Sequence, residues 1–374
     1  MNETLPQNPQ AEPAAAPDPA VSENAVPENE AASMPGMDEQ KPPEPTWKKT
    51  LKFVLKFGVS AGILTYIICT RDIKWQDFKL VNPWCIAAAF LCVYTQLSLT
   101  GVRWFTLLRA AGVKCSFREA FSLQMQGMFF SQFLPGGSVG GDVVKAGILA
   151  TRTPPGGKFN VVFSIFVDRL CGLGALLIAL LGTCAICRNT IAQFPEGQRN
   201  GLLVMCAVCG ALLCVVIFVF FSDLLYKVKF FKFFLDIADR ITKDTFKRAA
   251  DAVALYRRSW KLLLGWIAAT TLVFFPVLGL PVWLMANGFE GAPHRDFLPC
   301  LMISNVSQTI AAIPGSFGGT GTRDIAGAEM MTAMGFTDTE SGVIPILVTM
   351  TTLLVALSCS LFFIFDRGKR VPKQ

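Results

Sequence analysis

Residues 119–150 read EAFSLQMQGMFFSQFLPGGSVGGDVVKAGILA, and residues 297–334 read FLPCLMISNVSQTIAAIPGSFGGTGTRDIAGAEMMTAM. Each is an apolar arm, a Pro-Gly-rich break and a shorter second arm. Neither arm is comfortably long enough to cross a bilayer, which takes about 20 mostly apolar residues. Gln124, Gln126, Ser131 and Gln132 lie in one first arm; Ser304, Asn305, Ser307 and Gln308 lie in the other. Lipid does not tolerate an unpaired broken backbone, so such a break has to be buried in protein or line a wet cavity. The expectation is two re-entrant helical hairpins. An ordinary helix pair kinked at Pro135 or Pro314 is the alternative.

The composition around them is that of a membrane protein. Apolar residues make up 52% of the chain and charged ones 16%, where a soluble domain carries about 25% charge. That excludes a cytosolic enzyme, a secreted disulfide scaffold and a nucleic-acid-binding module. The net charge of +7 combines two opposed regions. Residues 1–46 hold nine acidic residues, one lysine, ten prolines and no aromatic. This is the composition of a disordered tail. The remainder holds 33 basic and 18 acidic residues.

Six stretches qualify as full spans, at about 52–70, 83–102, 163–187, 201–222, 262–286 and 343–365. Basic residues then vote on sidedness. Lys48, Lys49, Lys52 and Lys56 precede or open the first span. Arg103, Arg109, Lys114 and Arg118 follow the second. Residues 223–261 carry ten Lys/Arg against five Asp, and the chain ends in a basic tail over 367–374. The opposite loops, 71–82, 188–200 and 287–297, carry three, two and one Lys/Arg. Both termini are therefore expected in the cytoplasm of a multi-pass inner-membrane protein. Residues 223–261 mix those charges with Phe and Leu, which suggests an amphipathic segment on anionic head groups; a solvated helix pair is the competing reading.

Each half then runs span, span, hairpin, span. Three spans per half insert the second half upside down. The tips match as well: Leu134-Pro135-Gly136-Gly137-Ser138-Val139-Gly140-Gly141-Asp142 against Ile313-Pro314-Gly315-Ser316-Phe317-Gly318-Gly319-Thr320. Broken segments at matching places in inverted halves point to a transporter's midplane site. A half-helix that starts at each tip presents unpaired N–H groups and a partial positive charge, from Gly140 through Val143 and from Gly319 through Arg323. Lys145 and Arg323 lie within a turn of those ends, a combination suited to an anion such as a lipid phosphate. Asp142 and Asp324 as caps, with glycines that permit close packing, is a compatible reading.

Asp168-Arg169 lies near the start of the third span, and deep in the hydrocarbon if that span begins near Phe159. Ionisable groups there usually face a cavity or one another; a snorkelling interfacial Arg is the alternative. Cys184-x-x-Cys187 and Cys206-x-x-Cys209 mimic a zinc ribbon, but inside apolar spans that spacing marks one helix face, so no metal is expected. His294 has no partner beside it, and Gly156-Gly157-Lys158 lacks P-loop spacing. No catalytic residue, no cofactor and no enzymatic activity is expected.

Four motifs carry a resemblance: Arg103 through Arg109 (RWFTLLR), FLPGGSVGGDVVKAGIL, Val167-Asp168-Arg169-Leu170, and IPGSFGGTGTRD. Together they resemble the integral membrane domain of lysylphosphatidylglycerol synthases, which also occurs alone as a flippase-like family. The resemblance covers about residues 50–366. It implies an all-α flippase-like domain, here over 47–366, that moves lipid or lipid-linked head groups across the inner membrane. Lys145 stands where the family usually has Arg, and Asp168 and Asp324 where it has Glu; all three keep the charge. The synthase's aminoacyl-transferase domain has no counterpart, so lipid aminoacylation by this chain itself is not expected. The site residues expected to meet an anionic lipid or lipid-linked substrate are Gln132, Gly136, Gly137, Gly140, Gly141, Asp142, Lys145, Asp168, Arg169, Gln308, Gly318, Gly319, Arg323 and Asp324. The alternative function is a non-catalytic membrane subunit that positions a separate glycosyl- or aminoacyl-transferase.

Overall fold

The computed structural model describes residues 65, 69–71, 73–74, 76–133, 137–154, 157–220, 256, 259–312 and 321–364. The acidic tail, most of the expected span at 52–70, the tip residues Gly136, Gly318 and Gly319, nearly all of 223–258 and the basic tail lie outside the described residues. Within them the fold is all-helical. The helices of more than one turn are α1 (Pro83–Ala110), α2 (Phe117–Phe133), α3 (Ser138–Arg152), α4 (Lys158–Ile186), α5 (Glu196–Phe220), α6 (Trp260–Asn287), α7 (Phe297–Ala311), α8 (Thr322–Ala333) and α9 (Asp338–Ile364). Five of these, α1, α4, α5, α6 and α9, are long and apolar enough to cross a membrane.

Local chemistry sets several boundaries. Asn82 caps α1 by accepting from the Trp84 N–H at 3.0 Å, and Pro83 fills the first helical position, where no N–H is needed. α6 relaxes into a π turn over Thr270–Phe274 just before Pro276, whose missing N–H frees a carbonyl one turn back. Outward faces remain apolar. Trp84, Leu272, Val208 and Leu354 are exposed, as lipid-facing positions require.

The two broken segments fold as antiparallel arms. Glu119 pairs with Arg152 at 3.1 Å, Gln124 with Lys145 at 3.0 Å, and Gly127 backs onto Gly141. Partners therefore move inward from both ends, as two antiparallel arms require. α7 and α8 pair likewise, with Gly327 against Ser307. At about 1.5 Å per residue, α2 and α3 reach about 25 and 22 Å and α8 only about 18 Å, short of a hydrocarbon core of about 30 Å.

The hairpins open at opposite ends of the bundle. Arg71 bonds Thr332, Asp338 and Glu329, Asn82 donates to Gly288, and Arg295 donates to Gly335. These contacts gather the start of α1, the end of α6 and the open end of α7–α8. At the other end, Asn160 donates to the Ala111 carbonyl, and Glu119–Arg152 closes the open end of α2–α3. Packing partners also exchange between the halves. α1 packs on α2 as α6 packs on α7; α2 packs on α9 as α7 packs on α4; α3 packs on α4 as α8 packs on α9. α1 and α6 cross each other antiparallel, with Arg103 beside Thr270 and Asn82 beside Gly288. This is the packing of an inverted repeat.

The spans differ from their sequence expectation mainly at their ends. α1 runs eight residues past 102, and α4 begins at Lys158 rather than 163. Charged side chains that look like flanks are in fact carried inside the helices.

A methyl added at Gly141 would lie 2.2 Å from the Gly127 carbonyl oxygen, whereas one at Gly147 meets nothing within 4 Å. Gly141→Ala is therefore expected to force the hairpin apart and to cost about 1–3 kcal/mol or more. Gly147→Ala is expected to leave stability unchanged or slightly raised. Thermal unfolding of the two purified variants in detergent checks the contrast.

Candidate functional site

A charged group forms where five helices meet. Asp168 of α4 is buried and accepts from Arg103 Nε of α1 at 2.8 Å. Arg103 also donates from Nη1 to Thr270 Oγ1 in the π turn at 3.1 Å, and its guanidinium stands 5.8 Å from the Phe274 ring centre. Gly172 leaves the space beside Arg103, since a methyl there would sit 3.4 Å from Nη2. Lys145 of α3 is 3% exposed. Its Nζ lies 3.0 Å from Asp142 Oδ1, 3.0 Å from Gln124 Oε1 of α2, and 4.6 Å from the centre of the Trp104 ring. Trp104 is held in turn by its Nε1–H bond to Ser164 Oγ at 3.3 Å. Asp142 is shared: Oδ1 faces Lys145 and Oδ2 accepts from Arg169 Nε. Arg169 Nη2 donates to the Ser138 carbonyl at 3.3 Å.

Asp168 does not hold Arg169, contrary to what their adjacency suggests. Successive residues on a helix point about 100° apart. Asp168 turns inward to Arg103, and Arg169 turns to Asp142. The pair lies about 15 Å along a helix about 43 Å long. Arg103 is not a loop cation after a span but a buried residue within α1.

The first tip is also shifted from its expected place. α3 starts at Ser138, so its unpaired N–H groups begin there and not at Gly140. Gly137 precedes it with φ +58°, a conformation that favours glycine. Gly140 sits in the first turn, and Gly141 is the close-packing residue. Asp142 is no cap, because both its oxygens face cations. Gln132 is half-buried near the end of α2.

The second hairpin carries a separate group. α8 starts at Thr322 after Gly321 at φ +91°. Asp324 is 1% exposed. Its Oδ2 accepts from the Gly321 N–H at 3.1 Å, so here the capping reading holds. Its Oδ1 accepts from Thr349 Oγ1 of α9 at 2.6 Å and lies 3.5 Å from Arg323 Nε. Arg323 Nη2 in turn donates to the Thr349 hydroxyl. Beside them lies a cavity of about 40 Å³ lined by Ser304, Ser307, Gln308, Arg323 and Asp324 on its polar side, enough for a few waters. The first group ties α3 to α1, α2 and α4; the second ties α8 to α9.

Sequence reasoning missed Arg103, Trp104 and Thr270 as members of the site. The signal available for Arg103 was the demand of Asp168 for a cation other than its own neighbour. Cys184, Cys187 and Cys209 pack in the apolar core around α4 and α5. Among the described residues no three His, Cys, Asp or Glu side chains cluster as a metal would require.

Residues 53–359 match the family described as lysylphosphatidylglycerol synthase TM region. The chain belongs to this family, and with its five span-length helices it is a multi-pass membrane protein. No curated protein and no solved structure matches it.

Removing one partner of the Arg103–Asp168 pair strands a buried charge, at about 3–5 kcal/mol, whereas replacing both with apolar residues is often neutral. Asp168→Leu and Arg103→Leu are each expected to lower yield and thermal stability sharply. The Arg103→Leu/Asp168→Leu double is expected to recover most of both. Asp168→Leu/Arg169→Leu is expected to recover neither, because Arg103 stays unpaired. Yield and unfolding temperature of the purified variants decide this.

Proposed function

We propose that this member of the lysylphosphatidylglycerol synthase TM region family is a flippase-type transporter. It moves a phospholipid or lipid-linked head group across the cytoplasmic membrane without chemical change. The observation that carries this reading is Arg169. Its side chain is 52% exposed although it sits deep along α4 against Asp142. A cation kept near the centre of a membrane helix costs about 2.5–3.5 kcal/mol on the insertion scale. A purely structural pair recovers that by closing on itself, as Arg103 and Asp168 do. Arg169 stays open on one side, beside the unpaired N–H groups that start α3. An anionic head group fits that opening.

In this reading the two antiparallel arm pairs are re-entrant hairpins, and the chain needs no cofactor and catalyses no reaction. The basic flanks put both termini in the cytoplasm. The open end of α2–α3 then faces the cytoplasm and that of α7–α8 the opposite side.

Reconstitution in vesicles tests the function. The purified wild type is expected to move a fluorescent anionic phospholipid between leaflets, and Arg169→Leu to slow that movement about tenfold or more, roughly the loss of one charge-assisted contact. An equally fast, well-folded Arg169→Leu variant overturns the reading. Movement that needs an added transferase would favour the subunit role.

The orientation has its own check. His294 is exposed between α6 and α7. His294→Cys on a cysteine-free background is expected to react with a membrane-impermeant thiol reagent from outside the cytoplasm. Labelling from the cytoplasmic side refutes the assignment.

A further inference from the structure

We propose that the first charged group is matched to a lipid bearing a single negative charge on a phosphodiester, and that Asp142 is the internal carboxylate this phosphate displaces from Arg169. The proposal rests on the reading of this group as the head-group site. Among the described residues the group holds three cations, Arg103, Lys145 and Arg169, and two carboxylates, Asp142 and Asp168. It therefore lacks one negative charge.

The missing charge can be placed on one residue. Arg103 is closed, buried against Asp168, Thr270 and Phe274. Lys145 is closed, enclosed by Asp142, Gln124 and the Trp104 ring. Asp142 is divided between Lys145 and Arg169, so it neutralises only one of them. The surplus falls on Arg169, the one cation of the three that is half exposed. A net charge is expensive in a low-dielectric interior. One phosphodiester monoanion makes the group neutral. A zwitterionic lipid adds no charge, and an aminoacylated lipid of net charge +1 raises the surplus to two.

The chemistry of displacement also fits. Nε of Arg169 is given to Asp142 and Nη2 to the Ser138 carbonyl. A guanidinium carries five donors in a fork that matches two oxygens of one phosphate. When phosphate takes that fork, Asp142 is not stranded, because Lys145 stays 3.0 Å from its other oxygen. Asp142 thus holds the place of the ligand's charge while the site is empty.

Competitive binding to the purified full chain in neutral detergent, read by native mass spectrometry, tests this. The probes are phosphatidylglycerol, phosphatidylcholine and lysylphosphatidylglycerol with equal acyl chains. The wild type is expected to prefer phosphatidylglycerol by about tenfold over phosphatidylcholine, with the cationic lipid weakest. Arg169→Gln makes the group neutral and is expected to bring the three within about twofold of one another. Arg169→Lys keeps the surplus charge at the open position and is expected to keep the order, with a smaller preference because the fork is lost. Equal binding of the three lipids by the wild type overturns the proposal, as does an order that survives Arg169→Gln or is lost in Arg169→Lys. Should Arg169→Gln not purify, Asp142→Asn decides: it raises the surplus to two and is expected to widen the preference for phosphatidylglycerol, and an unchanged preference overturns the proposal. Vesicle transport separates this from the function itself. Binding in the stated order without movement sinks the flippase reading alone, and movement without charge preference sinks the charge match alone.

Discussion

A carboxylate inside an apolar helix bundle must find a cation, and Asp168 finds Arg103 on another helix. Much of the first half hangs on that pairing. It fixes the contact between α1 and α4 and draws in the π turn of α6 through Thr270. It also places Trp104, the residue after Arg103, over Lys145. The same rule applied to Asp142 ties α3 to α4. Because each buried charge has a required partner, the helices cannot slide past one another by a turn without stranding one. Apolar packing alone would tolerate such slides far better, since Leu against Leu looks alike one turn on.

The exchange of packing partners adds a second constraint. The first arm of each hairpin, α2 or α7, packs on the last span of the other half. Neither half can therefore bury its own hairpin alone. The helix that covers each first arm thus comes from the opposite half. The interleaving explains why the arms can be so short. It also explains why glycines recur at their contacts: Gly141 admits the Gly127 backbone, and Gly327 the Ser307 side chain.

Much of this was legible in the sequence because hydropathy and breakers are local signals. The long spans, the two broken segments and the matching tips follow from runs of apolar residues and from Pro-Gly clusters. Partners across the bundle were not legible, because nothing local encodes them. Arg103 follows 23 residues with no charge, so it reads as a flank. Yet Trp104, Leu107 and Leu108 repeat at helical spacing and are fully buried beyond it, so the helix continues and carries the Arg inward. Adjacency misled at Asp168-Arg169, where the helical period already sends the two side chains to different faces. The start of α3 was misplaced by two residues and that of α8 by three, the usual fate of helix ends. The tips themselves, over 134–136 and 313–320, are not among the described residues.

The repeat of the backbone does not extend to its charges. In the first half, three cations meet two carboxylates. In the second, Arg323 meets Asp324, and their neighbours around the small cavity are Ser304, Ser307 and Gln308. Matching positions also differ in kind. Asp142 is bound from the following span by a cation, Arg169, whereas Asp324 is bound from the following span by a hydroxyl, Thr349. In the transporter reading proposed above, a charged ligand meets strong, orientation-fixing contacts at the first group and weaker, adaptable hydrogen bonds at the second. In that reading such a site holds a head group without trapping it. Two equal cationic clusters facing each other would bind the same anion more tightly in the middle than at either end, and tight binding midway slows passage.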